Sequence, residues 1–186
     1  MRRIAIAVTG ASGSLYARQL IEKLLTLSDQ VEELSLVMTE NAKTVWHTEL
    51  DDRSYEQFPV RRFGRQDFHA PFASGSGQYD ALIVVPCSMG TLGRIAAGVS
   101  DDLITRAADV MLKERKTLIL VARETPYQLI HLKNMETVTL AGGVICPATP
   151  SFYSRPKTLE ELAATVVDRV IQLAGLRMDG FRWGKD

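Results

Sequence analysis

The run Ala81-Leu82-Ile83-Val84-Val85 passes without a break into Pro86-Cys87-Ser88-Met89-Gly90-Thr91-Leu92. A buried strand therefore ends in a turn of small, hydroxyl-bearing residues that opens a helix. Such a turn suits an anionic ligand. The N–H groups of a first helical turn lack intrahelical partners and carry the positive end of the dipole, and Ser88 and Thr91 add hydroxyl donors. A second turn of this kind follows Ile4-Ala5-Ile6-Ala7-Val8, where Thr9-Gly10-Ala11-Ser12-Gly13-Ser14 leads into a helical pattern of Leu15, Leu20, Ile21, Leu24 and Leu25. Two hydroxyl-lined turns at strand ends imply one nucleotide-like ligand lying across the carboxyl edge of a parallel sheet.

Outward from these turns, strand-like runs recur at Ile4–Val8, Glu33–Met38, Ala81–Val85, Thr117–Val121 and Val144–Ile145. Helix-period segments at Ser14–Leu27, Asn41–Leu50, Thr91–Ala97, Leu103–Glu114, Tyr127–Leu140 and Leu159–Ala174 lie between or after them. The alternation predicts a single α/β domain over residues 1–186: a doubly wound parallel sheet, flavodoxin-like or Rossmann-like, with helices on both faces. Thr158 and Glu161 have capping-box spacing at the start of the last helix, which ends before Gly175. Between Asp51 and Tyr79 the pattern lapses. Charge, Pro59, Pro71 and Ser74-Gly75-Ser76-Gly77 predict a long surface excursion. Residues 175–186 read as a tail that packs at a subunit interface, because an indole such as Trp183 has little reason to sit on a free end.

The 186 residues carry 22 acidic and 22 basic side chains, so the diffuse charge typical of nucleic-acid and anionic-membrane binders is missing. Neither partner is expected. No apolar stretch approaches the roughly 20 residues of a membrane span, and the first residues enter a strand, so a cytoplasmic location is expected. Cys87 and Cys146 form no C-x-x-C pair, and His47, His69 and His131 lack metal-ligand spacing. No protein-held metal is expected.

Gly10-Ala11-Ser12-Gly13 lacks the G-x-G-x-x-G pattern, and no phosphate-loop motif occurs, which disfavours a standard NAD or ATP site. Thr39, after Met38, is suited to a flavin ring or its ribityl chain rather than to an adenosine ribose. Arg106, Asp109 and Lys113 share one helix face, as a solvated ion-pair stripe also would. Arg123 and Glu124 end a nearly all-apolar strand and stop at Thr125-Pro126, so they are expected in the same crevice as the hydroxyl turns. In Pro150-Ser151-Phe152-Tyr153, the phenol serves either packing or a phosphate.

Gly10-Ala11-Ser12-Gly13, Pro86-Cys87-Ser88-Met89-Gly90-Thr91-Leu92, the block from Arg106 to Glu114, Arg123-Glu124-Thr125-Pro126, His131-Leu132-Lys133-Asn134-Met135 and Pro150-Ser151-Phe152-Tyr153 together resemble the UbiX-type flavin prenyltransferases. The resemblance covers nearly the whole chain. It implies FMN held by Gly10, Ala11, Ser12, Thr39, Ser88, Met89, Gly90, Thr91 and Arg123. It further implies dimethylallyl monophosphate bound by Lys113, Tyr153 and Arg169, with Arg106 nearby and Trp183 closing the pocket. Glu49, Glu124 and Ser12 are the implied catalytic set. Reduced FMN would be the co-substrate and prenylated FMN the product, passed to a UbiD-type decarboxylase, in a homo-oligomer, a dodecamer in the family. Thr39 stands where the family commonly has Ser, and Gly90 where it frequently has Lys. Two other readings compete: a flavin-dependent cysteine decarboxylase, which would carry an Asn-rich turn and a catalytic His, and a non-catalytic flavin carrier, which would not need Lys113, Tyr153 and Arg169 together.

Overall fold

The computed structural model describes residues 1–178 and Gly184. Six strands, β1 (Arg2–Val8), β2 (Val31–Met38), β3 (Arg61–Phe63), β4 (Ala81–Cys87), β5 (Thr117–Ala122) and β6 (Val144–Ile145), form one parallel sheet in the order β3-β2-β1-β4-β5-β6. This is the Rossmann order, in which the chain reverses direction across the sheet between β1 and β4. The helices are α1 (Ser14–Thr26), α2 (Glu40–Leu50), α3 (Met89–Ala96), α4 (Leu103–Lys113), α5 (Leu129–Leu140) and α6 (Leu159–Leu173).

Strand side chains alternate between two cores. Ile4, Ile6, Val8, Ile83 and Val121 pack with Leu20, Leu24, Trp46, Val167 and Ile171 from α1, α2 and α6. Ala5, Ala7, Leu82, Val84 and Leu120 pack on the other face with Leu92, Ile104, Ala107 and Val138 from α3, α4 and α5. Burial on both faces is why the central strands read as unbroken apolar runs rather than as an alternating pattern. Pro86, which donates no ladder hydrogen bond, sits near the carboxyl end of β4 where the register with β5 shifts.

The 51–79 segment is only in part a surface excursion. It supplies β3, which pairs with β2 at the sheet edge through Ser35↔Arg61 to Val37↔Phe63. Tyr55, Phe72 and Tyr79 from the same segment are buried, and Phe72 lies edge-on to Phe63 at 5.2 Å and tilted against Tyr79 at 5.3 Å. A three-residue strand with two arginines has no apolar signature, and charge on an edge strand is a common guard against further pairing. Helix starts also differ slightly, because Thr39, Ser88 and Gln128 act as caps, so that α2, α3 and α5 begin at Glu40, Met89 and Leu129.

Phe72→Ala tests the structural weight of this segment. With no exposed surface in Phe72, the substitution should cost about 3–5 kcal/mol of unfolding free energy in urea titration. A cost near zero would return the segment to the surface.

Candidate functional site

The carboxyl ends of the central strands stay tied together after their ladders stop. The Thr9 N–H donates to the Pro86 carbonyl (3.3 Å), and the buried Thr9 hydroxyl donates to the same oxygen (2.7 Å) while accepting from the Ser88 N–H (2.9 Å). Thr39 N–H donates to Val8 O (3.0 Å), and Arg123 N–H to Cys87 O (3.2 Å). From β2 to β5 the loop starts are therefore held at the switch point, where open α/β sheets take their ligands.

Two capped helices open there. Thr39 Oγ1 accepts from Ala42 N–H at the start of α2 (3.0 Å), and Ser88 Oγ accepts from Thr91 N–H at the start of α3 (3.3 Å) while donating to Thr91 Oγ1 (3.1 Å). Among the described residues, the hydroxyl protons of Thr39 and Thr91 find no acceptor, nor do the N–H groups of Met89 and Gly90, which precede the first intrahelical bond from Leu92 N to Ser88 O. A cleft of about 540 Å³ is lined by Thr9, Gly10, Thr39, Ser88, Gly90 and Thr91, together with Glu40, Asn41, Arg65 and Arg94. Gly10 is required because a Cβ there would come within 2.6 Å of Asn41 Cβ, whereas Gly90 faces open space. Hydroxyls, free N–H groups and two guanidiniums form a donor set suited to a phosphate monoester.

In the turn between β1 and α1, the Glu49 carboxylate accepts from Gly13 N–H (3.0 Å) and Ser14 N–H (2.7 Å). Desolvation acts to raise its pKa, but the Ser12 side chain and the Ser14 and Gly13 N–H groups together outweigh it and hold the carboxyl below its ordinary value. Glu49 is thus held as a carboxylate at the Ser12 turn. A second cleft of about 890 Å³, beyond the carboxyl end of β6, is lined by Tyr153, Arg169 and Cys146 among others. Burial raises the Cys146 thiol pKa, with Arg169 opposing it.

The sequence matches the flavoprotein family over residues 1–173. It is 40% identical over 185 residues to the flavin prenyltransferase UbiX of Methanocaldococcus jannaschii, covering 98% of each chain. This chain belongs to the UbiX family of flavin prenyltransferases. A UbiX structure in complex with FMN and dimethylallyl pyrophosphate superposes with a TM-score of 0.89 at 42% identity, over 97% of this chain and 99% of that one. A dodecameric FMN-dependent UbiX-like decarboxylase from Escherichia coli O157:H7 gives 0.92 at 36%, over 98% and 100%. The peptidyl-cysteine decarboxylase EpiD, at 14% identity and a TM-score of 0.61, shares the fold alone.

Against the UbiX pattern, one chain brings together Gly10, Thr39, Ser88, Gly90 and Thr91 in the hydroxyl-lined cleft, Ser12 with Glu49, and Tyr153 with Arg169. Ala11 lies within the Ser12 turn, half-buried. The Met89 side chain is buried in the core, and Met89 is not among the residues that line the cleft. Arg123 is exposed at the end of β5 beside Tyr16, whose phenol pKa burial raises and Arg123 opposes. Glu124 follows it, with Oε1 accepting from Thr125 N–H at 3.0 Å.

Arg106 and Lys113 are not gathered with Tyr153 and Arg169 within the chain. Arg106 donates to Ala73 O and pairs with Asp109. Lys113 pairs with Glu114 at the end of α4, which leads to the amino end of β5, the sheet edge opposite the clefts. Trp183 lies outside the described residues. The start of the tail packs on its own chain, with Leu176 in the core and Arg177 backbone exchanging hydrogen bonds with Gln30.

The sequence reading missed Arg65, Arg94 and their partner Asp102. Arg94 was within reach of helix periodicity, one turn beyond Gly90 and Thr91, whereas Arg65 stands in the patternless segment. Asp102 is fully buried, and burial would raise its pKa. The Thr105 N–H, the Arg94 and Arg65 guanidiniums and the Thr105 hydroxyl outweigh that and bring it from 3.8 to about 2. Since the folded value lies below the unfolded one, the stability this group confers is complete above about pH 4 and is lost as pH falls toward 2. Asp102→Asn should therefore lower stability at pH 7 by on the order of 2–3 kcal/mol and flatten the acid limb of a urea-unfolding series between those pH values. An unchanged acid limb in the variant would deny Asp102 this role.

Proposed function

We propose that this chain transfers the dimethylallyl group of dimethylallyl monophosphate to N5 and C6 of reduced FMN, and that the prenylated FMN passes to a UbiD-type decarboxylase. The observation that carries this reading is the pairing of two clefts at one sheet edge: a hydroxyl-lined one suited to a flavin phosphate, and one bearing Tyr153 and Arg169. Family membership narrows the chemistry, and the relative solved with FMN and dimethylallyl pyrophosphate carries both ligand types at once. The two free cysteines fit a reducing compartment, and the cytoplasm is proposed as the site of action.

When bound, the reduced flavin supplies electron-rich N5 and C6 to an allylic carbon whose phosphate leaves. Arg169 and the Tyr153 hydroxyl offer charge-assisted and neutral hydrogen bonds to that departing phosphate. Glu49, held ionised at the Ser12 turn, accepts a proton at its carboxylate by way of Ser12 Oγ. Glu124 commits Oε1 to Thr125 N–H and keeps Oε2 as a second proton acceptor.

Lys113 and Arg106 enter this scheme from a neighbouring copy. Apolar side chains on α5 support a homo-oligomer, since Leu129, Ile130 and Leu140 are 65%, 61% and 82% exposed and gain little from water. A relative of this fold is dodecameric. Light scattering at micromolar concentration should show a multimer; a stable, fully active monomer would exclude composite sites.

The reaction is tested by anaerobic incubation of the protein with reduced FMN and dimethylallyl monophosphate in EDTA, followed by mass analysis of the extracted flavin. A flavin heavier by one five-carbon unit is expected. Glu124→Gln should bind flavin normally yet turn over about 10²–10⁴-fold more slowly. Product formed equally well from oxidised FMN, or only with added magnesium, would defeat the mechanism. Decarboxylation of phenylacrylic acid by the protein alone would replace it.

A further inference from the structure

Arg65, in the loop after β3, and Arg94, on α3, both line the hydroxyl-lined cleft and both bind one oxygen of Asp102. Arg65 Nε donates to Asp102 Oδ2 at 2.9 Å and Arg94 Nη1 at 2.8 Å. Asp102 is fully buried and is also fixed by Thr105 N–H on its other oxygen (2.8 Å), so it cannot swing away and carries both guanidiniums in a set orientation. Each arginine spends one nitrogen on carboxylates. Among the described residues, both terminal nitrogens of Arg65 and the Nε and Nη2 of Arg94 have no protein acceptor. Two other carboxylates are near: Asp101, which shares Arg94 Nη1, and Glu40 at the cleft, which pairs with Lys43; both are largely exposed and screened by water. Asp101 and Asp102 balance the two guanidiniums in sum, but only Asp102 is buried, and the unspent forked donors of both arginines line the cleft, a combination that fits a phosphate dianion.

We propose that Arg65 and Arg94 form the phosphate clamp of the flavin site and make this chain select phosphorylated flavin over riboflavin, with Asp102 as the positioning residue behind them. The proposal rests on reading that cleft as the FMN site. It assigns a binding role to the 51–79 segment, which no motif marks, and it places a cation on α3 one turn beyond Gly90.

Flavin-fluorescence titrations with FMN and with riboflavin test it in the wild type, Arg65→Gln and Arg94→Lys, with thermal melts of the flavin-free proteins alongside. Arg65 is 44% exposed, so its substitution leaves the fold least disturbed, and Arg94→Lys keeps a charge on Asp102 while losing the fork. Loss of a charge-assisted bond should weaken FMN binding about ten- to a hundredfold and leave riboflavin binding within about twofold. Added salt should weaken FMN binding less in Arg65→Gln than in the wild type. Unchanged FMN-over-riboflavin selectivity in both variants overturns the clamp. A raised KM for dimethylallyl monophosphate with FMN affinity intact also overturns it, by assigning the arginines to the other phosphate. If the wild type binds neither flavin, the FMN reading fails and the clamp fails with it.

Discussion

A single buried hydroxyl governs the geometry on which the rest depends. Thr9 Oγ1 donates to Pro86 O and accepts from Ser88 N–H, so it joins β1 to β4 beyond the last ladder bond, where β4 has lost a donor to proline. Without that link the two strand ends would be free to splay, and the turns on either side would lose their common reference. With it, the Ser12 turn, the Ser88 cap and the cleft between them keep fixed positions relative to one another. The site is thus set by the strands rather than by the loops, which is how a precise constellation is best held.

Charge is handled differently in the two halves of the site. At the Ser12 turn the protein supplies its own anion, Glu49, to the Gly13 and Ser14 N–H groups at the start of α1, and those bonds hold it as a carboxylate. At the Ser88 turn the caps satisfy only part of the donor set, and two guanidiniums stand beside it on a buried aspartate. One turn is closed by an acidic side chain of the chain itself. The other keeps guanidinium donors that no described residue accepts. A net charge of zero over the chain conceals this local asymmetry.

Periodicity and turn chemistry made much of the molecule legible. Ile4–Val8 and Ala81–Val85 are buried on both faces, so their apolar runs had to be central parallel strands, and Thr9, Ser88 and Thr91 could be placed at one edge from chain order alone. The edge strand Arg61–Phe63 was not legible, because its stability comes from pairing with β2 and from Phe72 and Tyr79 beneath it, none of which leaves a local pattern. Arg65 was hidden for the same reason. Lys113 illustrates the reverse case, since its family motif names it with the phosphate residues while the fold carries it to the opposite sheet edge of its own chain.

By itself, then, the sequence determined the central strand and helix succession and the two hydroxyl turns at their ends, because these follow from contacts between residues close along the chain. Only the tertiary structure decided the 3-2-1-4-5-6 order, the burial of Asp102 under two arginines from separate segments, and the separation of Tyr153 and Arg169 from Lys113. Those depend on which distant segments meet. Arg65, Arg94 and Asp102 come together only because the fold buries Asp102, whose carboxylate then requires the two guanidiniums beside it.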